Sequence, residues 1–145
     1  MSLPRIHVAV PKFSGLEKVY VNEALDSTWI SSRGPFIERF EAAVAEMAGA
    51  RHAIACNNGT TSLHLALASL GLRAGDEVIM PALTYVATAN SVSYCGARPV
   101  FIDNDPRTFN IDPAKIEAAI TSRTRGIMVV HLYGQAADMT PILEI

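Results

Sequence analysis

The stretch Asn57-Asn58-Gly59-Thr60-Thr61 lies where residues 52–56, suited to a buried strand, give way to "SLHLALASLGL", in which apolar positions recur at helical spacing. A strand that feeds directly into a helix places the first N–H groups of that helix at the strand's carboxyl end. There they have no partner within the helix and carry the positive end of its dipole. Glycine lets an anion approach such a backbone closely and threonine hydroxyls add donors, so the turn has the chemistry of a phosphate cradle. It is not a P-loop, because no Gly-Lys-Thr/Ser follows, and not a dinucleotide fingerprint, because Gly-x-Gly-x-x-Gly is missing. Taken alone, an N-cap with a tight turn accounts for it equally well.

Two further segments repeat the arrangement. In "PALTYVATANS", residues 81–91, Thr84 and Tyr85 fall at a predicted helix start, where an aromatic could cover a flat ring held by the cradle, although a tyrosine in an apolar stretch is more often core. In "VVHLYGQ", His131, Tyr133 and Gln135 follow a predicted strand end, with Gly134 permitting a turn. Three loops at one sheet edge point to a ligand pocket, since open parallel sheets bind ligands beyond the carboxyl ends of their strands. The aspartates of "FIDNDPRTFNID" do not form a calcium loop: counted from Asp103, Arg107 takes the fifth place and Thr108 the sixth, where glycine belongs. A solvated loop before a helix start at Asp112-Pro113 is expected, and no metal site. His64 reads as core-facing or interfacial, and His7 and His52 stand alone.

The elements that must position these residues alternate regularly. A helix is predicted over "GLEKVYVNEALDSTW", ending near Asp26-Ser27-Thr28, and a second over "PFIERFEAAVAEMAGA", with Pro35 in its first turn and Gly49 at its end. Strand 52–56, helix 60–70, strand 77–80, helix 84–94, strand 98–102, helix 112–120 and strand 126–131 follow. Short apolar strands such as "EVIM" and "GIMVV", separated by helix-length segments, indicate α/β architecture, a mostly parallel sheet with helices on both faces.

With 145 residues, half of them hydrophobic, the chain can bury a sizeable core. Its net charge of −2, from 12 basic and 14 acidic groups without runs, offers no footprint for nucleic acid or an anionic membrane. The N-terminus lacks the apolar core of a signal peptide, and no apolar run reaches the length of a membrane span. Cys56 and Cys95 lack metal-type spacing and read as small buried hydrophobes, with a reducing cytoplasm as the expected setting. At the C-terminus, Asp138 and Pro141 signal a helix start with barely a turn after it. The chain is therefore expected to be the N-terminal part of a larger domain.

Together "TWISSRGPFIERFE", "ACNNGTTSLHLAL", "GDEVIMPALTYVATANSV", "GARPVFIDNDPRTFNID" and "VVHLYGQAADM" resemble, in unbroken order, the N-terminal part of the DegT/StrS sugar-nucleotide aminotransferases. These are enzymes of the aspartate-aminotransferase fold that depend on pyridoxal 5'-phosphate (PLP). Within that family the likeness is greatest to the GDP-perosamine-forming branch. The resemblance implies that residues 1–145 comprise N-terminal helices and the first part of the PLP-binding large domain, the rest of that domain and a small C-terminal domain being absent. It implies PLP as cofactor, with pyridoxamine phosphate in the half-reaction. It assigns Gly59, Thr60 and Thr61 to the cofactor phosphate through backbone N–H groups, and Tyr85 to the face of the pyridine ring. Trp29, Ser31, Ser32 and Gly34 match a segment on the substrate side. The implied reaction moves an amino group from glutamate to the C4 ketone of a nucleotide-linked 4-keto-6-deoxyhexose, in a homodimer serving amino-sugar and O-antigen synthesis.

Transamination also needs a lysine that bonds the cofactor and shuttles the proton, and an acidic partner for the pyridinium nitrogen. The family carries both beyond the position of Ile145. The lysines here, Lys12, Lys18 and Lys115, are not expected at the carboxyl edge of a strand, and Asp138 does not match the acidic partner, so no catalytic residue is assigned. Two alternatives stay open: a fragment acting only as a binding or assembly module, and a PLP-dependent sugar dehydratase in which the lysine is replaced. A different PLP reaction, such as an aldolase or desulfurase, is disfavoured by "TWISSRGP".

Overall fold

A computed structural model describes residues 5–145, in two units that divide between Ala55 and Cys56. In the first unit, α1 spans Leu16–Asp26 and α2 spans Pro35–Ala48. Helix α1 is capped from inside: the Glu17 carboxylate accepts the N–H groups of Ser14 and Gly15, each at 2.9 Å. The Ser14 N–H is the foremost cause that holds Glu17 down at about 2. Pro35 opens α2, as expected, and the chain leaves it through Gly49 at φ 63. The two helices meet through the Tyr20 and Phe36 rings, 5.7 Å apart, with the Arg39 guanidinium 5.5 and 5.0 Å from their centres.

The predicted strand 52–56 does not form a ladder. The segment is extended, but among the described residues no strand lies beside it, and its Ala55 N–H donates instead to the Glu41 carboxylate at 2.8 Å. A strand exists only where its backbone groups find a neighbour's.

In the second unit, α3 (Gly59–Ser69) precedes β1 (Glu77–Pro81), α4 (Ala87–Tyr94) and β2 (Arg98–Ile102). A 3-10 turn at Pro113–Lys115 leads into the short α5 (Ile116–Ala119), then β3 (Thr124–Ile127) and α6 (Thr140–Leu143). The three strands form a parallel sheet in the order β2-β1-β3, as the α/β expectation requires. Every residue of β1 is buried. Its alternating side chains feed two cores: Ile79 packs with Ile102, Ile111, Ile116 and Ile142 on one face, while Val78 and Met80 pack with Val92 and Ala97 on the other.

Three predicted boundaries move. Strand 126–131 is realised as Thr124–Ile127, extended by one bond from the Met128 N–H to the Ile79 carbonyl at 2.8 Å. The next rung would need a donor from Pro81, which has no N–H. Helix 84–94 begins only at Ala87, because the Ala82 N–H is still bonded to the Ile102 carbonyl at 2.8 Å and the Leu83 N–H to Asn104. Thr84 and Tyr85 thus lie in the loop before the helix. Helix 112–120 shrinks to one 3-10 and one α turn, since Ile120 turns extended at ψ 130.

The amino-terminal edge of the sheet is charged and closed. Glu77, 2% exposed, accepts from the Thr121 hydroxyl at 2.6 Å and from Arg123 at 2.7 and 3.0 Å, with Arg98 at 3.7 Å. The Thr121 hydroxyl and then the Arg123 guanidinium hold its carboxyl below the ordinary range. Burial pushes the neighbouring Asp76 up, but the Arg73 N–H at 3.1 Å and Arg125 at 3.0 Å outweigh that, and it too lies below its ordinary value.

Candidate functional site

At the start of α3 the structure brings Gly59, Thr60 and Thr61 into one helical turn. Asn58 caps it: its side-chain oxygen accepts the Thr61 N–H at 2.9 Å and the Thr61 hydroxyl at 3.2 Å. The Thr61 N–H, expected to face a ligand, is therefore already taken. Gly59 and Thr60 keep theirs, with no acceptor facing them among the described residues. A Cβ on Gly59 would meet nothing within 4 Å, so the chain's own packing does not demand glycine there and the approach to the backbone is open. Electrostatics agree with an anion: α1 and α2 carry Glu17 and Glu38 in their first turns, whereas α3 has no acidic residue in its first turn.

Beyond β1, the loop 82–86 presents Tyr85 with 77% of its surface exposed. It is a presented ring, not a core residue. Two ties hold the loop. The Thr84 and Thr88 hydroxyls are 2.9 Å apart, joining it to α4, and Asn104, just past β2, accepts the Leu83 N–H at 2.8 Å. Asn104 donates its own amide to the Phe109 carbonyl at 2.7 Å.

A second asparagine of the same loop does the equivalent for the segment after β3. Asn110, 2% exposed, accepts the Leu132 N–H and donates to the Gln135 carbonyl, both at 3.0 Å. The Ala137 N–H donates to His131 Nδ1 at 3.0 Å, which leaves the proton of the neutral ring on Nε2. Between the asparagines, Asp105 accepts the N–H groups of Arg107 and Thr108 at 2.7 and 3.1 Å. These bonds hold its carboxyl below the ordinary value, the Arg107 N–H first. Tyr133 adopts φ 51, a left-handed backbone uncommon outside glycine, followed by Gly134 at φ 85. Leu83, Phe109, Leu132, Tyr133 and Gln135, with Arg107 at the rim, line a cavity of ≈ 580 Å³. Of the three loops expected at one pocket, this cavity brings together Leu83 of the second with Leu132, Tyr133 and Gln135 of the third, while Gly59, Thr60, Thr61, Tyr85 and His131 are not in its lining. The two segments are tied in place by Asn104 and Asn110, which stand in a stretch whose composition reads as a solvated loop.

Trp29, Ser31, Ser32 and Gly34 lie in the first unit. Gly34 is buried with φ 144, and a Cβ there would come to 3.0 Å from the Trp29 Cβ, so the glycine lets the indole stem lie on the backbone. Ser31 and Ser32 are exposed. Lys115 is held by Asp103 at 3.1 Å and Asp112 at 3.6 Å, and the Asp103 hydrogen bond raises it above the ordinary lysine value, the wrong direction for a nucleophile. Among the described residues no cluster of three potential metal ligands occurs, and no helix is long and apolar enough to cross a membrane.

The model of the DegT/DnrJ/EryC1/StrS aminotransferase family matches residues 12–145. GDP-perosamine synthase of Caulobacter vibrioides is 65% identical over 143 residues, 99% of this chain and 38% of that protein. The enzyme of the same name from Escherichia coli O157:H7 is 50% identical over 97% of this chain and 38% of its own length. Among solved structures, NtdA of Bacillus subtilis with bound cofactor PMP superposes with a TM-score of 0.84 at 38% identity, covering 97% of this chain and 34% of that one. The chain thus spans little more than a third of the length of the relatives it matches.

Proposed function

This chain belongs to the DegT/DnrJ/EryC1/StrS aminotransferase family, and from that premise we propose that the protein containing it is a PLP-dependent sugar-nucleotide aminotransferase. Residues 1–145 supply the N-terminal helices and the first part of the cofactor-binding large domain. The carrying observation is the start of α3, with two unbonded N–H groups, no acidic residue in the first turn and open space over Gly59. A phosphate dianion fits that chemistry. Bound there, the cofactor would supply an electron sink and a carrier for the amino group.

The residues of this chain would bind and orient. Gly59 and Thr60 donate backbone hydrogen bonds to the phosphate, and Thr61 joins them if its N–H leaves Asn58. Tyr85 covers one face of the ring and excludes water from it. Trp29, Ser31, Ser32 and Gly34 serve the substrate side. The substrate is a nucleotide-linked 4-keto-6-deoxyhexose, and 65% identity to a GDP-perosamine synthase supports the GDP-linked 4-keto sugar, with glutamate as donor. A homodimer in the cytoplasm, serving amino-sugar polysaccharide synthesis, completes the reading.

The test titrates the complete polypeptide with PLP, comparing Tyr85→Ala with Tyr85→Phe. Weaker cofactor binding in the alanine variant alone is expected, and unchanged binding in both refutes the stacking role. Competing GDP-, UDP- and dTDP-linked 4-keto sugars in a glutamate-dependent assay test the substrate. Borohydride reduction of the loaded protein is expected to label a lysine other than Lys12, Lys18 and Lys115, and a label on any of these three would contradict the partial-site assignment.

A further inference from the structure

We infer that Asn104 is a positioning residue for the cofactor ring, acting through the loop that carries Tyr85; this deepens the proposed function and rests on its assignment of Tyr85. Tyr85 is 77% exposed, so burial does little to fix where the ring lies. Its direction is set by the backbone of residues 82–86. That backbone is anchored by the Ala82 N–H on the Ile102 carbonyl at 2.8 Å, the Leu83 N–H on Asn104 at 2.8 Å, and the Thr88 and Asn90 N–H groups on the Tyr85 and Val86 carbonyls, both at 3.0 Å. The first ends the sheet and the last two begin α4. Between them the loop is held by two side chains, the Thr84 hydroxyl on that of Thr88 at 2.9 Å and Asn104 on Leu83, and of the two only Asn104 ties the loop's backbone to a different segment of the chain.

The amide of Asn104 is matched atom for atom. A backbone N–H can only donate, so the oxygen must face Leu83, and a carbonyl can only accept, so the nitrogen must face Phe109. The nitrogen also lies 3.5 Å from the Leu83 carbonyl, so the side chain pairs with Leu83 much as a neighbouring strand would. Asn104 is itself fixed by an antiparallel bridge to Ile111, whose side chain is buried in the core. A rigid core position thereby reaches an exposed loop through one amide. Phe109, at the other end of that amide, lines the cavity beside the loop.

Asn104→Asp keeps an acceptor for the Leu83 N–H and loses the donor to Phe109, whereas Asn104→Ala loses both. PLP affinity is read by absorbance titration of the complete polypeptide, in wild-type and Tyr85→Ala backgrounds, with thermal unfolding measured on every variant. In the wild-type background Asn104→Ala is expected to weaken affinity about 5- to 30-fold, the range one or two lost kilocalories produce. Asn104→Asp should retain most of the affinity even where its melting temperature falls. In the Tyr85→Ala background Asn104→Ala should add nothing, because the ring it positions is gone. Additive losses in the two backgrounds, or full affinity in Asn104→Ala where Tyr85→Ala is weakened, overturn the inference and leave the aminotransferase reading intact. Unchanged affinity in Tyr85→Ala itself overturns both the stacking role and this inference. If Asn104→Ala does not fold, the aspartate variant decides: affinity as low as that of Tyr85→Ala counts against the inference and near wild-type affinity for it.

Discussion

The two ends of the parallel sheet are held by opposite chemistry. At the amino end, Asp76 and Glu77 are buried carboxylates closed off by Arg98, Arg123, Arg125 and the Thr121 hydroxyl. At the carboxyl end charged pairs also occur, Arg107 with Asp105 and Lys115 with Asp103, but the ties that reach from one loop to the backbone of another are the neutral amides of Asn104 and Asn110. Paired charges use up one another's field, while an amide bonded to backbone fixes a loop and leaves the field over it for something else. The closed end has no exposed aromatic among its ties; the open end presents Tyr85 and Tyr133. One end is finished and the other is prepared.

The strongest test removes what both ends share. Ile79 sits in the middle of β1 at 0% exposure, and Ile79→Ala should cost about 2–5 kcal/mol by leaving a cavity in one core, measured by denaturant unfolding. Next comes the open end alone. Asn110→Ala strands the Leu132 N–H and the Gln135 carbonyl and should cost about 1–3 kcal/mol, with faster amide exchange confined to residues 131–135.

The contrast sharpens with pH. The folded Glu77 carboxyl lies below the usual glutamate value of 4.5, so its contribution is complete above that value and is lost as pH falls through the folded pKa. The melting temperature of the parent protein should therefore drop below about pH 4.5, and Glu77→Gln should shed part of that drop. Asp76 supplies another part and remains. The Asn104→Ala and Asn110→Ala variants should show the full acid slope, because their ties carry no charge. The smallest effect is expected at Tyr133, whose left-handed backbone suits asparagine better: Tyr133→Asn should raise stability by about 1 kcal/mol or less.

Much of this contrast is legible in residue order. Alternating apolar strands and helix-length segments indicate the parallel sheet, and the strand 98–102 appears as read because β1 lies beside it along its whole length. The Gly59-Thr60-Thr61 turn was also readable, since a helix start announces itself in composition. The strand at 52–56 was not, because a ladder depends on a partner, and apolar character alone cannot say whether one is adjacent. The retreat of β3 from residues 128–131 traces to Pro81, 47 positions before the first of them, a dependence invisible to any local window. Asn104 and Asn110 escaped for the same reason: their acceptors and donors belong to loops 21 and 22 residues away. Among clustered aspartates and asparagines they look like solvent-facing loop residues until the loops are brought together.

The strand order β2-β1-β3 also dictates a sequence of events during synthesis. β1 emerges from the ribosome first and ends in the middle, so the sheet is assembled from its centre outward as translation proceeds. At roughly 5–20 residues per second, the nascent chain carries a strand that is apolar after Glu77, with two open edges, for seconds before β2 and then β3 arrive on either side. In that interval α3, completed just upstream, and then α4 are the natural covers for one face of β1, while the face that awaits Ile111, Ile116 and Ile142 stays bare the longest.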